Sequence, residues 1–201
     1  MIKTTYLNGQ LLLAMPNMTD PRFDHSVIYI CSHNEDGAMG LVINATAVDI
    51  DFPELLDQLD IDNNSDLGLS TDTSYLSPKA QEEIILHSGG PVEMGRGFIL
   101  HTADYVQEST LVISETVALT ATIDILSAIA QGNGPKDYII TLGYTGWGKG
   151  QLEDEIMRNS WLHIEPDEQL LFHTDIDLKW SRAMAKLGVD ITMLSSDVGN
   201  A

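Results

Sequence analysis

Apolar residues along this chain fall into short blocks bounded by turn residues, the pattern of strands covered on both faces rather than of amphipathic stripes. Residues 26–32 and 38–44 are two such blocks, joined by His33, Asn34, Glu35, Asp36 and Gly37. They predict a β-hairpin, with Gly37 supplying the turn. Val27, Ile28, Tyr29 and Ile30 are consecutive, so the hairpin is expected centrally in a sheet. Asp51, Pro53 and Glu54 make a capped helix start, with Leu55, Leu56 and Leu59 facing the core. From 60 to about 80 the composition turns to Asp, Asn, Ser and Thr, a polar surface loop.

Further strands are expected at 84–87, 97–102, 111–114, 138–142, 161–164, 170–173 and 191–194. Ile123, Leu126, Ile129 and Ala130 fall at helical spacing, with Thr120 or Thr122 as cap and Gly132 past the end. Gly143, Gly146, Gly148 and Gly150 read as a bend before a helix over 151–159. A last helix, capped by Thr174 or Asp175, places Ile176, Trp180, Ala183, Met184 and Leu187 on one face and stops at Gly188. Helices alternate with strands only in the second half. The expected class is therefore α+β: one domain over 1–201, with a mixed, partly barrel-like sheet and helices packed on the outside.

Charge narrows the partners. The 201 residues carry 30 acidic against 10 basic side chains, a formal charge of −20, which repels nucleic-acid backbones and anionic lipid. No direct nucleic-acid or membrane binding is expected. The single cysteine, Cys31, cannot form an internal disulfide. The apolar runs 11–15 and 27–31 fall short of the roughly 18 residues of a membrane helix, and the start, with only Lys3 as a basic residue, lacks the pattern of an export signal. A cytoplasmic protein is expected.

The blocks Leu12-Leu13-Ala14-Met15-Pro16, Asp20-Pro21 with Phe23, Ser26 to Cys31, His33-Asn34 and Gly37-Ala38-Met39-Gly40-Leu41-Val42-Ile43-Asn44 resemble those of the YqgE/AlgH family of bacterial proteins. So do Gly89-Gly90-Pro91-Val92 with Arg96-Gly97-Phe98, Gly143-Tyr144 with Gly146-Trp147 and Gly150-Gln151-Leu152-Glu153, and Asn159 with Trp161-Leu162. The resemblance spans nearly the whole chain. It implies a cytosolic bacterial protein with a mixed α+β fold and a small barrel-like sheet, of a family labelled a transcriptional regulator on indirect grounds and lacking a DNA-binding motif. Asn200 stands where histidine is common in that family, and Lys149 is not a family feature.

Three features carry candidate chemistry. Gly143, Gly148 and Lys149 approximate a phosphate-binding loop, but Gly150 stands where a hydroxyl should reach magnesium. What survives is an anion site on backbone amides, against the competing reading of tight-turn glycines with Trp147 packed on the core. Gly89-Gly90-Pro91 with Arg96 offers an anion-binding concavity and a guanidinium, against a plain ion pair. Cys31 and His33, two apart on a strand, are expected on one side, where the histidine could lower a thiol pKa; an inert core cysteine is the alternative. No HExxH, Gly-x-Ser-x-Gly or complete calcium loop occurs, the stretch 60–71 failing at Ser65 and Thr71, so no cofactor and no metal is expected. The functional expectation is a non-catalytic binding or regulatory protein. Its cleft, from loops 20–24, 89–96 and 143–150, would take a small anionic ligand or a protein segment through Arg22, Gly89, Gly90, Arg96, Gly146, Trp147 and Gly148. An enzyme using Cys31 or a histidine is the alternative, and a regulator acting without direct DNA contact the third. The sequence leaves oligomeric state open.

Overall fold

A computed structural model describes residues 6–48, 50–59 and 84–189. The strands are β1 (Leu11–Ala14), β2 (Val27–Asn34), β3 (Gly37–Val42), β4 (Leu86–Ser88), β5 (Val92–Thr102), β6 (Leu111–Val112), β7 (Val117–Thr120), β8 (Tyr138–Gly148) and β9 (Trp161–Ile164). The helices are α1 (Phe52–Gln58), α2 (Ile123–Ala130), α3 (Gln151–Met157), α4 (Glu168–Phe172) and α5 (Ile176–Lys186). The strands join in one sheet of order β6-β7-β5-β8-β3-β2-β1-β9, with β4 parallel to β8 and every other pairing antiparallel. The sheet curls into a half-barrel with helices packed against both of its faces, an α+β fold as expected.

Strand β8 belongs to both halves of the curl. Its first part, Tyr138 to Leu142, pairs with β5 and β4, and its last part, Thr145 to Gly148, pairs with β3. Between them Gly143 takes φ +73°, and the connection from β4 to β5 crosses directly against it. A Cβ on Gly89 would collide with the Gly143 carbonyl, and one on Gly90 with the Tyr144 carbonyl. Gly89 closes the junction in both directions: its N–H donates to Leu142 O at 2.8 Å and its C=O accepts from Val42 N at 2.9 Å.

Three apolar clusters follow from strand alternation. Leu11, Leu13, Val27, Tyr29, Cys31, Leu41, Phe98, Leu100 and Ile139 point into one cluster drawn from both halves, the concave side, filled by Leu170 and Leu171 of α4 and Trp180, Ala183 and Met184 of α5. Leu12, Ile28, Ile30, Trp147 and Trp161 face the other way, under Leu152 of α3. Leu86, Ile99 and Ile140 make the third, covered by α1 and α2. Consecutive apolar residues in β1 and β2 thus serve two cores at once.

Several elements depart from the sequence reading. The glycine-rich stretch from 143 is strand as far as Gly148, because its backbone pairs with β3. Residues 170–173 lie in and just after α4 rather than in a strand, since the Asp167 carboxylate caps that helix by accepting from Leu170 N at 2.7 Å. Strands β1 and β7 add to the strands expected, and α2 buries Ile125 while Ile123 stays exposed. The Asp51 carboxylate caps α1 as expected, accepting from Glu54 N at 2.8 Å. The polar loop expected after Leu59 and the closing strand at 191–194 fall outside the described residues.

The crossing predicts a graded response to glycine replacement. Gly143 and Gly150 share a left-handed backbone, but a Cβ on Gly143 would lie 2.5 Å from Gly90 O and one on Gly150 meets nothing within 4 Å. Denaturant melts should show Gly150→Ala costing about 1 kcal/mol for backbone strain alone, and Gly143→Ala about 3 kcal/mol or more, as strain and overpacking combine.

Candidate functional site

The end of the β2–β3 hairpin, the first half of β5 and the second half of β8 enclose an open groove of about 500 Å³. Met39, Phe98 and Tyr144 give it apolar surface, and Ser32, Asn34, Asp36, Glu93 and Arg96 give it polar surface. Phe98 and Tyr144 meet edge to face, with centroids 5.7 Å apart, and the Arg96 guanidinium lies 5.1 Å from the Phe98 centroid, within cation–π range. Arg96 Nη1 donates to Glu93 Oε2 at 3.1 Å, and both side chains are about half exposed. Glu93 has φ +48° in the irregular stretch where the β5–β8 register shifts between Val92 and Gly97. Glu93 and Arg96 of that stretch both line the groove.

Of the sequence candidates, Arg96, Gly146 and Trp147 border this groove. Trp147 nonetheless buries its indole in the outer cluster and donates its N–H to Glu155 Oε2 at 2.9 Å, the oxygen that also accepts from Trp161 Nε1 at 2.7 Å. Gly148 N donates to Gln151 Oε1 at 3.0 Å. Gly89 and Gly90 are buried at the β8 crossing and do not line the groove. Arg22 does not line it either: its guanidinium forks onto its neighbour Asp20, at 2.6 Å from Nη2 to Oδ2 and 3.0 Å from Nε to Oδ1. The hydrogen bond from Arg22 holds the Asp20 carboxyl below its usual range.

Cys31 and His33 end on opposite faces. A β-bulge lies between Ile30 and Ser32, so Cys31 is an extra residue and the alternation flips after it. Cys31 packs in the concave core, where burial pushes its thiol pKa well up. His33 pairs with Ala38, a member of the outer cluster. Its Nδ1 accepts from Leu7 N at 3.1 Å, so the proton sits on Nε2 and is donated to Glu153 Oε1 at 3.1 Å. The histidine braces the hairpin against α3.

Sequence reasoning missed a second cavity, of about 570 Å³, lined by His87 of β4, Tyr138 of β8 and Lys179 of α5. Lys179 is 2% exposed. Its Nζ donates to Leu171 O at 2.7 Å, Thr174 O at 3.0 Å and Leu170 O at 3.3 Å, spending all three protons on carbonyls at the end of α4. Burial draws its pKa down to about 8. Burial first, and then the Lys179 charge, pull His87 down to about 4, so at neutral pH the imidazole is uncharged. The one signal in the sequence is positional: Lys179 falls within the apolar stripe of Ile176, Trp180, Ala183 and Met184.

The chain belongs to the AlgH-like family, whose model matches residues 11–192. It is 50% identical over 199 residues to a UPF0301 protein of Afipia carboxidovorans, covering 98% of this chain and 91% of that one. It is 51% identical over 197 residues to a UPF0301 protein of Rhodopseudomonas palustris strain BisB18, covering 98% and 89%. The solution structure of the AlgH protein from Pseudomonas aeruginosa is similar at TM-score 0.75 and 39% identity, covering 100% of this chain and 99% of that one. A crystal structure of a Corynebacterium diphtheriae protein shares the fold at TM-score 0.67 and 17% identity, covering 98% and 95%. Among the described residues, no helix is long and apolar enough to cross a membrane.

Two outcomes follow. Iodoacetamide should modify Cys31 in the folded chain roughly a hundredfold more slowly than in urea, because opening must precede reaction; equal rates would place the thiol at the surface. His87 takes up its proton near pH 4 when folded and near 6.5 when unfolded. The unfolded state therefore holds more protons between these values, so the contribution is complete above pH 6.5 and is lost as pH falls through 4. Wild type should lose about 3 kcal/mol more than His87→Gln over that window, measured by urea melts at pH 7 and pH 4.

Proposed function

We propose that this chain is a non-catalytic binding protein and that the groove over β3, β5 and β8 holds a small anionic ligand on Arg96. The observation that carries this reading is the convergence of Arg96, Gly146 and Trp147, from motif blocks 50 residues apart, around one groove floored by Phe98 and Tyr144. Arg96 is the cation there, and its partner Glu93 is exposed. Such a pair is weakly held in water, so a ligand carboxylate or phosphate oxygen can take the place of Glu93 while the guanidinium keeps its stacking on Phe98. Asp36 and Glu93 keep the groove from being broadly positive, which favours a small, locally charged ligand over a polyanion. A protein segment bearing one carboxylate is the second reading, supported by the exposed Met94 and Val92 beside Arg96. The enzyme reading through Cys31 loses support from the buried, protonated thiol. Regulation by this chain would act through a ligand or protein partner, since the charge of −20 opposes DNA.

A thermal-shift series with inorganic phosphate, citrate and phosphorylated metabolites tests this. Preferential binding to the folded state adds about 2.7 kcal/mol at a hundred times Kd. The expected result is a midpoint that rises with concentration in wild type and stays flat in Arg96→Ala. A rise that persists in Arg96→Ala would put the ligand elsewhere, and no rise with any compound would favour the protein segment.

A further inference from the structure

The start of β8 and the two ends of α4 bring Asp137, Glu168 and His173 together on the side of the molecule that carries the His87 cavity. One donor atom from each lies within 4.8 Å of the other two. His173 Nε2 is 3.7 Å from Asp137 Oδ2 and 3.8 Å from Glu168 Oε1. A point equidistant from three atoms so spaced lies about 2.0–2.4 Å from each, which is the range of zinc bonds to imidazole nitrogen and carboxylate oxygen. Asp137 Oδ2 is buried and makes no well-formed hydrogen bond. Its nearest positive group is Lys136 Nζ at 3.3 Å, which also lies 2.7 Å from Glu168 Oε1.

We propose that Asp137, Glu168 and His173 form a site for a divalent transition-metal ion of the zinc type, and that Lys136 is the cation that competes for it. The donor set selects the ion class. An imidazole with two carboxylates suits zinc, whereas magnesium and calcium take oxygen-only sets. The placement makes the site compact without a sequence motif: Glu168 opens α4 and His173 caps it, so one short helix presents both, and Asp137 joins from the bend just before β8. Lys136 is 65% exposed, and its backbone is held separately, its N–H donating to Asp104 Oδ2 at 3.1 Å. Its ammonium can therefore leave the carboxylates to an ion without unfolding the turn. Three protein donors leave coordination positions to solvent or an exogenous ligand, as in open zinc sites. The site is separate from the Arg96 groove, and neither proposal depends on the other.

Calorimetric titration of the full chain with Zn²⁺, with Mg²⁺ as control, tests the assignment. One Zn²⁺ per chain is expected, weakened at least tenfold by Asp137→Asn and by His173→Ala. Lys136→Gln should tighten binding, by about tenfold if Lys136 fills the site nine-tenths of the time. Amide NMR spectra of the metal-free variants establish that each is folded, and the His173 imidazole resonances of wild type should shift on the first equivalent. Absence of Zn²⁺ binding in both wild type and Lys136→Gln would overturn the site, as would binding that survives Asp137→Asn and His173→Ala. Unchanged affinity in Lys136→Gln would overturn the role assigned to that lysine.

Discussion

Everything in this fold hangs on one backbone crossing, where Gly89 and Gly90 lie against Gly143 and Tyr144 at van der Waals distance with no side chain between them. Strand β8 can serve two half-sheets only if it turns there, and it turns because Gly143 adopts a conformation that carries no penalty without a Cβ. The crossing is stapled by Gly89 N–H to Leu142 O and by Val42 N–H to Gly89 O. From it follow the curl of the sheet, the concave core filled by α4 and α5, and the placing of β5 and the hairpin on the two sides of β8. The groove lies where β5, before Gly97, departs from its register with β8.

Cations are scarce in this chain, and the structure uses them individually. Lys179 is buried and ends α4; Arg22 is tied to Asp20 within one turn; Lys186 reaches Asp167 Oδ2 at 2.7 Å and Glu165 O at 3.0 Å. The buried ammonium holds the fold, because its three carbonyl acceptors would otherwise be unsatisfied at a helix end. Exposed pairs such as Arg96 with Glu93 add little stability, and for that reason can be exchanged for a ligand at small cost. Burial thus separates the cations that hold the fold from those able to act on something else.

Local signals are legible in the sequence and non-local ones are not. The hairpin, the Asp51 cap, the strand Trp161–Ile164 and the apolar face of α5 can be read because each is set by neighbours within a turn or a strand. The glycines after Leu142 read as a bend because strand membership there depends on β3, a hundred residues earlier in the chain. Leu170, Leu171 and Phe172 form an apolar run too short for periodicity to separate strand from helix, and the Asp167 cap decides it. The bulge that parts Cys31 from His33 leaves no mark in the sequence. Of the candidate site, Arg96, Gly146 and Trp147 are visible in the sequence motifs, whereas Gly89 and Gly90 serve the crossing. Lys179 with His87 is hidden, because a lysine in an apolar stripe is ordinarily read as solvated.

Native-state hydrogen exchange of single amides tests the central place of the crossing. If β8 is the shared spine, Gly89 N–H and Val42 N–H exchange only through global unfolding, with opening free energies equal to the full stability of the chain and to those of central amides in β2. If instead these two amides exchange through local opening while β2 and β3 remain protected, the two half-sheets are independent and the crossing is not what holds them together.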